Sequence, residues 1–352
     1  MSVSRRGVVV AVAAFLIFLL VPFIGVHVPW ILPSTVNIIN STGTLEVLAL
    51  CFIFAGVALG YEVIFGFTGL LSLGPVMYFA TGVYVFDITL THWNWPLVPA
   101  LLCTFGISLV LAIVFGAIAL RVSGIAFTMV TLAFAQAFYY LIEDNPHGLT
   151  GGDTGLALVS SRLPGFMSGA VSNTRNLYWI AFGFLVVSYA IVWMVTESAT
   201  GHVFVAIREN ERRLEVLGIR PFGFKLGAYV LSSLVASGGG VAYILLIGTA
   251  VPSAVASTTV TLSILIMVVL GGAGTRWGAV TGAMIYVYLE QYLLKVSAEP
   301  SFANLPSFLR VPLSQPQFLL GAIFVLFVLF VPGGIAGMVG RFRVRREGRN
   351  RR

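Results

Sequence analysis

Uncharged apolar runs of 18 or more residues recur along the whole chain, and they constrain its fold more than any motif does. Where water cannot reach, every backbone N–H and C=O must find its partner within the segment, so such runs form helices. Composition agrees: 58% of the 352 residues are hydrophobic, 9% are charged, and the mean hydropathy is +0.99. The expected fold is all-α, a polytopic integral membrane protein of ten transmembrane helices. These fall at about 7–25, 44–65, 75–90, 97–119, 124–142, 177–196, 225–247, 257–275, 278–296 and 317–339. The first run follows Arg5 and Arg6 and has no small-residue cleavage site, so it reads as an uncleaved span.

Positive charge sets the orientation. Ten spans with both termini cytoplasmic put every basic residue on the inner side except Arg162, Arg175, Lys295 and Arg310. An odd count would move either Arg5 and Arg6 or the whole C-terminal tail outside. One transmembrane domain then covers 1–340, in the plasma membrane. The basic tail 341–352, with Arg341, Arg343, Arg345, Arg346, Arg349, Arg351 and Arg352, reads as a cytoplasmic membrane end and not a nucleic-acid site. Cys51 and Cys103 lie inside apolar runs, as small core residues do, and the four histidines sit on separate loops, so no metal site is expected.

The longest charged run, 197–224, lies between two apolar walls. Arg208, Glu209, Glu211, Arg212, Arg213 and Glu215 crowd into it, while Val203, Ile207, Asn210, Leu214 and Leu217 recur at helical spacing. Thr200 is a candidate N-cap, and Gly218 with Pro221 supplies the stop. The pattern predicts a continuous rod over 202–217, about 24 Å long, stiffened by Glu209–Arg213 and Arg212–Glu215 pairs. A solvated connector and a docking helix both fit that pattern.

Two glycine- and proline-bearing breaks interrupt the apolar pattern, G-F-T-G-L-L-S-L-G-P at 66–75 and G-T-A-V-P-S-A-V-A at 248–256. Backbone of this kind is tolerated in a membrane only where it is buried in protein or lines a polar cavity. Five spans on each side of the loop 143–176 make two halves of opposite orientation, and the breaks occupy matching places in them, the usual pointer to a transport path. Thr68 and Ser72 are then expected to offer hydroxyls to a solute, with Phe65, Phe67 and Phe79 shielding its apolar part. A set of glycines at 274, 278 and 282 predicts close helix packing. Glu62 and Glu290 are the acidic residues placed deepest in spans. No metalloprotease helix, nucleophile elbow or P-loop is found, so a transport protein is expected and not an enzyme.

Five stretches resemble one family: 59–75, 120–136, the L-T-G-G-D-T-G-L string at 149–156, A-I-R-E-N-E-R-R-L-E-V-L-G-I-R-P-F-G-F-K-L at 206–226, and V-V-L-G-G-A-G-T-R-W-G-A-V-T-G-A at 268–283. They are similar to the permease subunits of branched-chain amino-acid ABC importers, and most to the larger of the two sister permeases. The resemblance implies a sister permease, two cytoplasmic ATPases that hold the ATP and Mg, and an extracytoplasmic solute-binding protein, with no cofactor on this chain. It makes the charged run a coupling helix, engaged through Val203, Ile207, Arg208, Glu209, Asn210, Arg213, Leu214 and Gly218. The two breaks put Thr68, Gly69, Ser72, Gly74, Thr131, Gln136 and Ser253 along the expected path, and the resemblance turns Thr150, Gly151, Gly152 and Asp153 toward the binding protein. Glu62, Pro75 and Gln136 depart from residues common in the family, and they leave the solute open. A urea or short-amide importer shares most of these motifs, and an ion-coupled carrier working alone through Glu62 or Glu290 is the rival from another class.

Overall fold

The computed structural model describes residues 18, 20–23, 41–159, 163–164, 173–297, 316–331 and 333–338. After a 3-10 turn at Val21–Phe23 come eleven helices: α1 (Thr42–Glu62), α2 (Pro75–Thr91), α3 (Leu97–Ala119), α4 (Ile125–Glu143), α5 (Thr174–Glu197), α6 (Ala199–Val216), α7 (Pro221–Ile247), α8 (Pro252–Val255), α9 (Thr258–Gly271), α10 (Arg276–Ser297) and α11 (Pro316–Phe330). Two short strands, β1 (Leu156–Ala157) and β2 (Thr249–Ala250), pair antiparallel. The all-α class therefore holds with this one small exception.

The apolar runs from the second onward become helices close to their expected bounds. Among the described residues, six helical stretches are long and apolar enough to cross a membrane: Thr42–Phe67, Leu97–Ala119, Ile125–Glu143, Thr174–Glu197, Pro221–Ile247 and Pro252–Gly271. Most of the expected first span and the whole basic tail lie outside the described residues. The expected last span is interrupted after Phe330 near Gly333 and Gly334, with φ of +102° and +68°, and helix resumes at 334–338.

Burial explains the arrangement. α1 is enclosed on nearly every face and packs against α5, α10 and α7. α3 buries small residues, a line at four-residue spacing of Ala100, Thr104, Ser108, Ala112 and Gly116 together with Ala119, against α7 and α2, and turns Val98, Leu102, Val110 and Ile118 outward. Small residues let two backbones approach where a lipid solvent gives no hydrophobic drive to helix association. The seam carries one polar contact, Ser108 Oγ to Ser237 Oγ at 2.7 Å.

α7 sets the two ends of the bundle. Its 27 residues span about 40 Å. It begins beside α6 and ends in Gly248, which has φ +76° and opens the second break.

Candidate functional site

The two breaks run from opposite ends of α7 into the bundle. α2 and α9 have 17 and 14 residues, about 26 and 21 Å, each short of a hydrocarbon layer of about 30 Å. Each is entered through a break.

At the first break, α1 loosens into a π-helical turn at Val63–Phe67, then Gly69 turns the chain with φ +77°. The extended residues that follow find their partners on α4 and α9. Thr128 Oγ1 donates to the Leu71 carbonyl at 2.8 Å, the Leu73 N–H donates to Thr131 Oγ1 at 3.0 Å, and Thr261 Oγ1 reaches the Leu73 carbonyl at 3.5 Å. Gln136, one turn further along α4, donates from Nε2 to Thr258 Oγ1 at the start of α9. Thr131, Gln136 and Gly74 are thus brought together with Thr258 and Thr261. This is the meeting place of the two interrupted segments.

Thr68 and Ser72 correct the expectation of free hydroxyls. Both are buried; Thr68 Oγ1 donates to the Val63 carbonyl at 2.8 Å, and Ser72 Oγ accepts from the Gly74 N–H at 3.2 Å. Ser72 also borders a small enclosed cavity with Ile64, Pro75, Tyr78, Tyr229, Ser232 and Ser233. Phe79 is not a lining residue but part of the core, stacked on Phe54 and edge-on to Tyr243. Ser253, in the second break, is exposed.

The charged run does form a helix, but not a continuous rod. α6 is interrupted at Asn210, whose φ of −165° and ψ of 99° are extended backbone, and Asn210 Oδ1 caps the second segment by accepting from the Arg213 N–H at 3.1 Å. Its N-cap position is Ser198, not Thr200. The interruption takes Glu209 and Arg213 out of helical register, and neither that pair nor Arg212–Glu215 is among the two ion pairs of the described residues. Glu211 instead meets Lys225 of α7 at 2.5 Å, and Glu197 meets Arg276 at 2.7 Å. Ile207 and Leu214, expected to face a partner, are each 6% exposed and face the bundle. Val203 is half-buried. The outward face carries Glu209, Asn210, Arg212, Arg213 and Glu215, with Val205, Val216 and Leu217 as its apolar members and Gly218, at φ +82°, closing it.

Arg208 reaches away from that face and donates to the carbonyl of Gly66. Of the expected glycine set, Gly278 and Gly282 do pack against the backbone of α9. Gly274 instead lies in the α9–α10 turn with φ +94°, and its N–H donates to Glu62 Oε1.

At the other end, 149–156 is a built turn. Asn145 Oδ1 accepts from the N–H groups of Thr150 (2.9 Å) and Gly151 (3.0 Å), and Thr150 Oγ1 donates to the Ile142 carbonyl at 2.6 Å. Gly151, Gly152 and Gly155 all have positive φ, and a Cβ on Gly151 would collide with the carbonyl of Gly155. Asp153 is exposed. β1 joins this turn to the second break, where Leu158 N–H donates to the Gly248 carbonyl at 2.9 Å. Sequence reasoning missed Asn145, Thr258 and Thr261. Asn145 before a proline and three glycines was the available signal; the two threonines offered none.

A bundle of apolar helices with two interrupted segments entering from opposite ends, and a charged arm seated on one of them, defines a polytopic membrane protein of the transport class. Residues 43–339 match the family described as the branched-chain amino acid transport system permease component, and the chain belongs to that family. It is similar to the high-affinity branched-chain amino acid transport system permease protein LivM of Escherichia coli (strain K12), with 25% identity over 324 residues, covering 85% of this chain and 71% of the relative. Its likeness to the LivM of Salmonella typhimurium is 24% over 319 residues, with the same coverage. No solved structure gives a significant match. The protein is thus a multi-pass permease of the cell membrane, a transport component.

Proposed function

We propose that this chain is the membrane-spanning permease subunit of an ATP-driven importer of branched-chain amino acids, with ten spans and both termini in the cytoplasm. The meeting of the two breaks at Thr131, Gln136 and Thr258 carries this reading, because short helices entered from opposite ends leave polar groups at depth between them. The side bearing α6 is cytoplasmic, and there the outward face of α6 receives an ATPase. The opposite side, with Asp153 and the turn around Asn145, receives a solute-binding protein. A sister permease completes the path. ATP and Mg belong to two partner ATPases, since this chain has no P-loop lysine, and it holds no cofactor of its own.

The ion-coupled carrier through Glu62 or Glu290 is not favoured, since the chain belongs to the permease family of branched-chain amino-acid transport systems. The urea or short-amide reading has no observation in its favour. Affinity purification of the chain from its native membrane tests the proposal. ATPase subunits should come with it, and the reconstituted complex should take up leucine only with ATP. Uptake by the chain alone, without ATP, would overturn it.

A further inference from the structure

Arg208 is the one basic residue of the arm that turns onto the break. It does so through three glycines. Its guanidinium donates to the carbonyl of Gly66. A Cβ on Gly69 would lie 2.9 Å from Arg208 Cγ, and one on Gly274 would lie 3.0 Å from Arg208 Nη1. Gly69 and Gly274 both have positive φ, so neither position suits a side chain on either count.

Glu62 completes the arrangement from the opposite side. The Gly274 N–H donates to its Oε1, and its carboxylate lies against the Cα of Gly66, where a Cβ would collide. Glu62 is 0% exposed, and its Oε2 has no hydrogen-bond partner. Glu62, Gly66, Gly69, Arg208 and Gly274 therefore form one connected set drawn from the end of α1, the first break, α6 and the α9–α10 turn, buried at Glu62 and open to the outside at Arg208. A buried carboxylate lacking a full set of donors is costly to keep, and Glu62 and Arg208 meet the same two residues, Gly66 and Gly274, from either side.

The set lies at a branch point. Gly69 leads through the break to the N-terminus of α2, and Gly274 lies three residues past the end of α9, in the turn into α10. One arginine thus touches the chain at the root of both short helices.

We propose that Arg208 and Glu62 are the positioning pair that passes movement of α6 to the first break and to the α9–α10 turn together. This rests on the reading of α6 as the segment that an ATPase engages. When α6 shifts, the guanidinium carries the Gly66 carbonyl with it and slides across Gly274, while Glu62 holds the turn to α1. Both interrupted helices then respond to one displacement, although 142 residues separate Arg208 from Gly66. Neither residue contacts solute; their effect appears in how much transport each ATP supports.

The test uses the intact importer, purified through its ATPases and reconstituted in proteoliposomes, with leucine uptake and ATP hydrolysis measured on one sample. Arg208→Gln should still co-purify with the ATPases but lower leucine transported per ATP by about tenfold, the factor equivalent to about 1.4 kcal/mol of coupling free energy. Arg208→Lys, which keeps one donor and the charge, should recover part of that ratio. Gly274→Ala, which puts a Cβ 3.0 Å from Arg208 Nη1 at a φ of +94°, should lower it too. Glu62→Gln keeps the shape and the acceptor for Gly274 but not the charge, and it carries the test if Arg208→Gln does not assemble. An unchanged ratio in the variant that assembles overturns the pair. If the wild-type chain brings down no ATPase, the importer reading itself fails; a coupled wild type with an unaffected variant removes only the pair.

Discussion

Thr131→Val is the sharpest test of the meeting place between the breaks. Valine matches threonine in shape but loses the hydroxyl, which accepts from the Leu73 N–H at 3.0 Å and donates to the Thr128 carbonyl at 2.9 Å. The Thr128 carbonyl belongs to α4 and keeps its helical surroundings. The Leu73 N–H lies in extended, half-buried chain and is left without its acceptor, a loss of up to about 1–3 kcal/mol, the range for a fully buried donor. If about 1–2 kcal/mol of that falls on the conformation that transports, the maximal uptake rate drops by about 5- to 30-fold. Thr131→Ser retains the hydroxyl and should stay near wild type. Leucine uptake into proteoliposomes measures the rate, and thermal unfolding in detergent measures the stability. If Thr131→Val matches both the wild type and the serine variant in rate and midpoint, α4 does not hold the first break through this hydroxyl, and the assignment of the site is wrong.

On α6, the outward residues and not the inward ones should control ATPase binding. Val216 and Leu217 are 88% and 71% exposed, so Val216→Asp with Leu217→Asp should leave folding intact and reduce ATPase co-purification, whereas Leu214→Asp buries a charge and should lower the unfolding midpoint first. Equal ATPase recovery from the doubly substituted chain would remove this face as the docking surface. Cysteines in the two breaks should also differ: Ser253→Cys, at an exposed position, should react with a small polar thiol reagent applied from the binding-protein side, while Ser72→Cys, 2% exposed, should be protected in this conformation. Equal labelling of the two would contradict the burial described here.

Apolar length was enough to place most helices, because a membrane helix announces itself through composition over some twenty residues. α3 was expected at 97–119 and occupies Leu97–Ala119. The breaks were also legible, since glycine and proline interrupt a pattern whose surroundings leave no alternative. What sequence could not reveal was direction. Ile207 and Leu214 marked the apolar stripe of α6 correctly, but a stripe shows only that something covers it, and here the bundle does so. The spacing of Ile207 and Leu214 did not show the interruption at Asn210, because both still fall on the buried side; asparagine, a favoured N-cap residue, was the only local signal. The contacts of Thr131 with Leu73 and of Gln136 with Thr258 join segments 58 and 122 residues apart, and no local pattern encodes such meetings.

The packing around the breaks explains how they can move without coming apart. A Cβ on Gly82 would lie 2.9 Å from the Cα of Ser237, and one on Gly240 2.9 Å from the backbone nitrogen of Val83, so α2 and α7 touch backbone to backbone. A Cβ on Gly282 would lie 2.8 Å from the Cα of Gly271, which joins α9 to α10 in the same way. Contacts this close leave no layer of side chains to shear, so each short helix is bound to a full-length neighbour and moves with it. α7 in turn is tied to the arm through Lys225 and Glu211. On the coupling proposed above, displacement of α6 reaches the root of α2 and the foot of α9 through the glycines that hold Arg208, with the Lys225–Glu211 pair keeping α7 beside the arm. The two breaks can change their relation at Thr131 and Thr258 only if these helix pairs turn against one another as units. Those hydroxyl and amide contacts, few and exchangeable beside the glycine seams, are where such a rotation costs least.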